Sequence, residues 1–159
     1  MRLTTKARFA VTAILDIALY SNGNPVPLTH ISARQKITVA YLEQIFCKLR
    51  RAEIVYSMRG PGGGYYLPED PEKITIGSII EAVEENIDAR QCRGDGSCNG
   101  DAACLTHHLW ERLNEVTKNF LDGVTVADMI KDHKDAESPV AREHLSYVPV
   151  ELLKKKRII

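Results

Sequence analysis

The run Gly60-Pro61-Gly62-Gly63-Gly64 rules out more folds than any other stretch of this 159-residue chain. No helix can pass through it, because each Gly costs about 1 kcal/mol and a Pro about 3 kcal/mol relative to Ala in a helix interior. Pro61-Gly62 suits the two central positions of a type II turn. The flanks are Ile54-Val55-Tyr56-Ser57-Met58-Arg59 and Tyr65-Tyr66-Leu67, β-branched and aromatic. The segment therefore reads as strand, turn, strand. A glycine run can also cradle phosphate. Here no Lys-Ser/Thr pair follows it, and no G-x-G-x-x-G can be placed.

Three helices are expected before this hairpin. Thr4 or Thr5 can cap the first, which runs to about Tyr20 and stops at Ser21-Asn22-Gly23-Asn24-Pro25. Ala10, Ile14, Ile17 and Ala18 share one face, widened by Val11 and Leu15. Leu28 to Gln35 reads as a short second helix. Lys36-Ile37-Thr38 is a tight connector, and Thr38 can cap a third helix over Val39–Ala52. In that helix Leu42, Ile45, Phe46 and Leu49 point to a core. Ala40, Glu43, Gln44, Cys47, Lys48 and Arg51 lie on the opposite, mostly polar side. Two short helices joined by three residues form a helix-turn-helix, and a hairpin directly behind it is a wing.

Charge supports that reading. The net charge of the chain is zero, yet residues 1–60 hold nine Lys/Arg against three Asp/Glu, so the first part is basic and the remainder acidic. A basic head suits a polyanion such as double-stranded DNA. Lys48 and Arg51 would then meet phosphates, which carry affinity but no sequence information. Gln44 could read an adenine edge and Glu43 a cytosine amino group. Glu43 is repelled by phosphates and acceptor edges, so it also discriminates against wrong sites. Arg59, at the wing's base, could enter a minor groove or grip phosphate.

Three cysteines are evenly spaced, C-x₅-C-x₅-C, at Cys92, Cys98 and Cys104. The residues between are glycine-rich and polar and cannot build a core, so the loop serves to bring sulfurs together. Cys104 is expected to open a helix running to about Asp122. His107 and His108 lie three and four residues further on, and spacing does not choose between them. Three thiolates and an imidazole can hold Zn²⁺ or an iron–sulfur cluster. Five-residue spacers exceed the short chelate loops common at Zn and favour a larger guest. A neutral His in place of a fourth Cys leaves an oxidised two-iron cluster with about −1 charge rather than −2, which favours reduction. Cys47 stands apart and reads as an incidental thiol.

Thr75 can cap a linking helix from Ile76 to about Glu85, and Thr125 a short one to about Lys131. Leu105, Leu109, Leu113, Val116 and Phe120, with Trp110 and Leu121, give the helix after Cys104 more apolar surface than one small head covers, so a homodimer is expected. Arg2, Lys6 and Arg8 before the apolar stretch Phe9–Leu19 resemble the start of a secretion signal, but Asp16 interrupts it. With no stretch long enough to cross a membrane, a cytoplasmic protein is expected, in which cysteines serve metal or redox chemistry rather than disulfides.

The fold class is thus mainly α with a small β wing: a winged helix-turn-helix plus a long dimerisation helix. The expected organisation is a DNA-binding head over 1–70, a connecting helix over 71–90, a cluster-binding loop over 91–107, the dimerisation helix and short helix over 104–133, and a weakly structured basic tail over 134–159.

Met1-Arg2-Leu3-Thr4, Tyr41-Leu42-Glu43-Gln44, Arg59-Gly60-Pro61-Gly62-Gly63-Gly64-Tyr65 and the C-x₅-C-x₅-C-x₂-H array together resemble the bacterial iron–sulfur cluster regulators over about residues 1–133. The resemblance implies a homodimeric transcription factor with one [2Fe–2S] cluster per protomer, filled by the iron–sulfur assembly machinery and controlling iron–sulfur biogenesis genes. It implies Cys92, Cys98, Cys104 and His107 as ligands. It matches Glu43, Gln44 and Arg59 to the DNA-reading surface, with Ala40 standing where a Ser is expected; with the residue reading above, the expected DNA-binding set is Ala40, Glu43, Gln44, Lys48, Arg51, Arg59 and Gly60. A Zn-stabilised regulator is the alternative metal reading. An electron carrier would not need a basic winged head, and no nucleophile–base pair for an enzyme is present.

Overall fold

The computed structural model describes residues 3–68, 70–83, 92, 95–99 and 102–137. The helices are α1 (Thr5–Tyr20), α2 (Leu28–Gln35), α3 (Val39–Arg51), α4 (Ile76–Val83), α5 (His107–Gly123) and α6 (Val126–Glu137). The strands β1 (Tyr56–Met58) and β2 (Gly64–Tyr66) lie between α3 and α4 and pair antiparallel, Tyr56 opposite Tyr66 and Met58 opposite Gly64. The architecture is the expected winged helix-turn-helix with a long trailing helix.

Caps set the helix starts. The Thr4 hydroxyl accepts from the Ala7 amide at 3.3 Å, and that of Thr38 from the Tyr41 amide at 3.4 Å. Lys36 turns the chain between α2 and α3 in the left-handed region, φ 58°. In the wing, Gly62 has φ +75° and the Gly63 amide donates to the Gly60 carbonyl at 2.9 Å, as a type II turn requires. Gly64 is needed for closeness: a Cβ there would collide with the Val26 backbone, to which the wing is bonded through Tyr65.

One apolar cluster holds these elements together: Ala10, Ile14 and Ile17 of α1, Leu42, Ile45, Phe46 and Leu49 of α3, and Ile79, Ile80 and Val83 of α4. Phe46 meets Tyr65 of the wing at 4.6 Å between ring centroids. α4 lies at the centre, packed on α1, α3 and α5. A buried polar knot fixes α2 on α1. The Asp16 carboxylate, with no exposed side-chain surface, accepts from Arg34 Nε at 2.9 Å, Arg34 Nη2 at 2.6 Å and Gln35 Nε2 at 2.7 Å. Arg34 also stacks over Tyr20 at 4.8 Å.

Two expectations are corrected. Cys104 does not open a helix; α5 begins at His107. The Cys104 amide is drawn to the Cys98 sulfur at 3.1 Å instead, and a turn bonds the His107 amide to the Cys104 carbonyl at 3.0 Å. α6 continues past Lys131 to Glu137, so the first residues of the expected tail are helical. Its start is strongly capped: the Asp128 amide donates to the Thr125 hydroxyl at 3.1 Å, and the Asp128 carboxylate accepts from the Thr125 amide at 2.9 Å. Met129 and Ile130 also pack against the core. The expected helix end at Glu85 and the tail from Ser138 onward lie outside the described residues.

Candidate nucleic-acid interface and metal centre

α3 has one buried face and one largely exposed face. Its four core residues are fully buried, whereas Ala40, Glu43, Gln44 and Arg51 are exposed. Arg59 and Gly60 are exposed at the wing, and Arg50 adds a cation in the last turn of α3. Arg50 flanks Leu49 in sequence and was absent from the expected set because it follows a core position. Lys48 behaves differently. It is half-buried, and its ammonium donates to the Val83 carbonyl of α4 at 3.1 Å. Cys47 is half-buried too.

The second site forms where the loop meets α5. Cys92 and Cys98 present their sulfurs to Nδ1 of His107, at 3.6 Å and 3.4 Å. These three ligand atoms lie within 4.8 Å of one another. Cys92 and His107 are buried, and Cys98 is half-buried. Cys104 stands beside the group. Its amide reaches the Cys98 sulfur, and its own sulfur lies 3.6 Å from the Thr106 hydroxyl. His108 turns away: it is exposed and sits 3.5 Å from Glu111.

The sulfurs differ in acidity. The Thr106 hydroxyl, then the Cys98 thiol, hold Cys104 below the usual thiol value. At Cys98 the Cys104 amide pulls downward, but the Cys104 sulfur, partial burial and Cys92 together hold it above that value. Thiolate is the form that binds metal. Two thiols, an imidazole and a third thiol beside them are a chemically suitable donor set for Zn²⁺ or an iron–sulfur cluster. Thr106 was missed in the sequence because its contribution depends on the turn before α5. It also accepts from Trp110 Nε1 at 3.1 Å.

Beyond His107, α5 shows an apolar stripe to solvent: Leu109, Trp110, Leu113, Val116 and Phe120 are all exposed. Among the described residues no helix is long and apolar enough to cross a membrane.

Comparison with known proteins places the chain among transcription regulators. The HTH-type transcriptional regulator IscR of Vibrio campbellii is 52% identical over 137 residues, covering 86% of this chain and 82% of that protein. The corresponding regulator of Vibrio cholerae is also 52% identical, covering 86% and 79%. Among solved structures, T. potens IscR superposes with a TM-score of 0.72 at 35% identity, over 87% of this chain and 92% of that one. CymR, the global cysteine regulator of B. subtilis, gives 0.71 at 30% identity, over 83% and 98%. Residues 3–132 match the family described as iron-dependent transcriptional regulators. With an exposed recognition face, a wing and relatives of this similarity, the chain is not an enzyme but a DNA-binding transcription regulator, and it belongs to the Rrf2 family.

Proposed function

We propose that this regulator reports iron–sulfur status through a [2Fe–2S] cluster and controls genes of iron–sulfur biogenesis. The observation that carries the proposal is the approach of Cys92, Cys98 and His107 to one another, with Cys104 at their edge. Cys92, Cys98, Cys104 and His107 would hold the cluster, which supplies redox and ligand-exchange chemistry when bound. A loop rich in glycine, with one imidazole among three thiolates, would release it more readily than four Cys on a rigid frame. That suits a sensor filled by the iron–sulfur assembly machinery.

The chain would act as a homodimer in the cytoplasm. α5 would supply the dimer contact and the two heads would read two half-sites. On each head Ala40, Glu43, Gln44 and Arg51, with Arg59 and Gly60 of the wing, would face double-stranded DNA. Ala40 brings no hydrogen-bonding group to that face, which leaves Glu43 and Gln44 to read base edges.

The test is anaerobic reconstitution with iron and sulfide, read by absorption and by chemical analysis. A red-brown protein with about two irons and two sulfides per chain is expected. A colourless protein that retains Zn²⁺ and takes up no sulfide would replace the cluster with a structural zinc and leave the DNA function standing.

A further inference from the structure

Lys48 lies on the recognition helix among groups suited to DNA, yet its ammonium is turned inward onto the Val83 carbonyl, 3.1 Å away. Val83 is the last residue of α4 as described, and Cys92 follows nine residues later. α4 has little freedom to shift alone, since Ile76, Gly77, Ile79, Ile80 and Val83 are all buried. On its other side Glu81 accepts from Lys118 of α5 at 2.6 Å, and Lys118 also reaches Asp122 at 3.2 Å. α5 in turn begins with His107. α4 is therefore gripped from the recognition helix by Lys48 and from the His107 helix by Lys118, and it leads in sequence towards Cys92.

We infer that Lys48 is a positioning residue that couples the thiol–imidazole site to the recognition helix through the Val83 carbonyl, and is not a phosphate contact. Ligand capture by His107 acts on α4 through α5, whose Lys118 holds Glu81. A shift of α4 by a few tenths of an ångström reaches α3 directly through a hydrogen bond to a backbone atom. Base-edge contacts depend on helix placement at that scale, whereas phosphate contacts through long exposed side chains tolerate it. The inference rests on the cluster-sensing function proposed above.

The test compares wild type, Lys48→Met, Lys48→Gln and Lys48→Arg on a duplex selected by the wild-type chain from a random pool. Each is titrated over a range of salt, with and without reconstitution by iron and sulfide, and cluster content is followed by absorption. Met keeps the aliphatic stem and loses the donor; Gln keeps a donor that is too short to reach. Reading the two together prevents one poorly folding variant from deciding the result. Wild type should bind with different affinity in its loaded and unloaded forms. In Lys48→Met and Lys48→Gln that ratio should fall to about one, with absorption and salt slope unchanged, and Lys48→Arg should restore it. A salt slope shallower by about 0.9 for each lysine removed would make Lys48 a phosphate contact and overturn the inference. So would a wild-type ratio in the Met and Gln variants. A ratio of one in wild type itself would overturn the cluster-sensing function proposed above, and this inference with it.

Discussion

His107 and His108 are neighbours in the chain, but helix geometry sends their side chains about 100° apart. His107 keeps only 8% of its surface exposed and faces two sulfurs. The His108 ring is 88% exposed beside Glu111. His107→Ala should therefore lose the reconstituted absorption, or shift it markedly, while His108→Ala keeps the wild-type spectrum. Loss in His108→Ala with retention in His107→Ala would remove His107 from the site. This choice was not legible in spacing, since offsets of three and four residues both return to one helix face. It depends on where α5 starts, and that is decided by the Cys104 amide bonding a sulfur rather than opening the helix. The direction of Lys48 was hidden for a related reason. An amphipathic pattern says which positions are polar, not whether a long polar side chain bends back to a neighbouring carbonyl.

At the scale of elements, the sequence pattern located α3 and the wing turn well because their signals are local: Thr38 as a cap, Pro61-Gly62 as a turn. The buried Asp16 was visible only as an interruption in an apolar stretch; its partners lie 18 and 19 residues away on α2. Removing Arg34 alone leaves a buried carboxylate with the Gln35 amide but no counter-charge, so Arg34→Met should cost about 3 kcal/mol in chemical unfolding. Asp16→Leu combined with Arg34→Met should recover most of that loss. A cost for Arg34→Met below about 1 kcal/mol would show that apolar packing alone holds α2 on α1. The extra length of α6 was also not legible, because the residues after Lys131 are polar and carry no apolar periodicity. Its cap has a pH signature. The Thr125 hydroxyl and amide hold the Asp128 carboxyl below its ordinary value. That stabilisation is present above the ordinary carboxylate value and is lost as pH falls through the lowered one. Amide exchange over Val126–Met129, taken relative to the intrinsic rate at each pH, should therefore quicken below about pH 4 in wild type. Thr125→Ala should quicken it at neutral pH and flatten the dependence. Equal exchange in the two proteins at neutral pH would exclude the cap as the anchor of α6.

The whole molecule is balanced in charge only because a basic head is joined to an acidic remainder, and its long helix is left with an uncovered seam. Leu109, Leu113, Val116 and Phe120 follow intervals of four, three and four, the spacing by which two helices mesh apolar side chains. Leu109, Val116 and Phe120 are 59%, 66% and 63% exposed, so they contribute little to the fold of one protomer. In the homodimer proposed above, a second copy of this helix would cover the seam, because the same stripe then covers itself about a two-fold axis. Two basic heads would thereby be fixed together, each contributing its phosphate contacts. Val116→Glu with Phe120→Glu should convert a dimer to a monomer in analytical ultracentrifugation while leaving the unfolding free energy of the protomer nearly unchanged. On a selected duplex with two half-sites, affinity should fall about 100-fold or more, since the second head is no longer held nearby. The slope of log affinity against log salt should fall to about half, because half the phosphates are neutralised. A double variant that remains dimeric would place the dimer contact elsewhere. A monomeric variant that keeps the full salt slope would show that one head alone makes all the phosphate contacts.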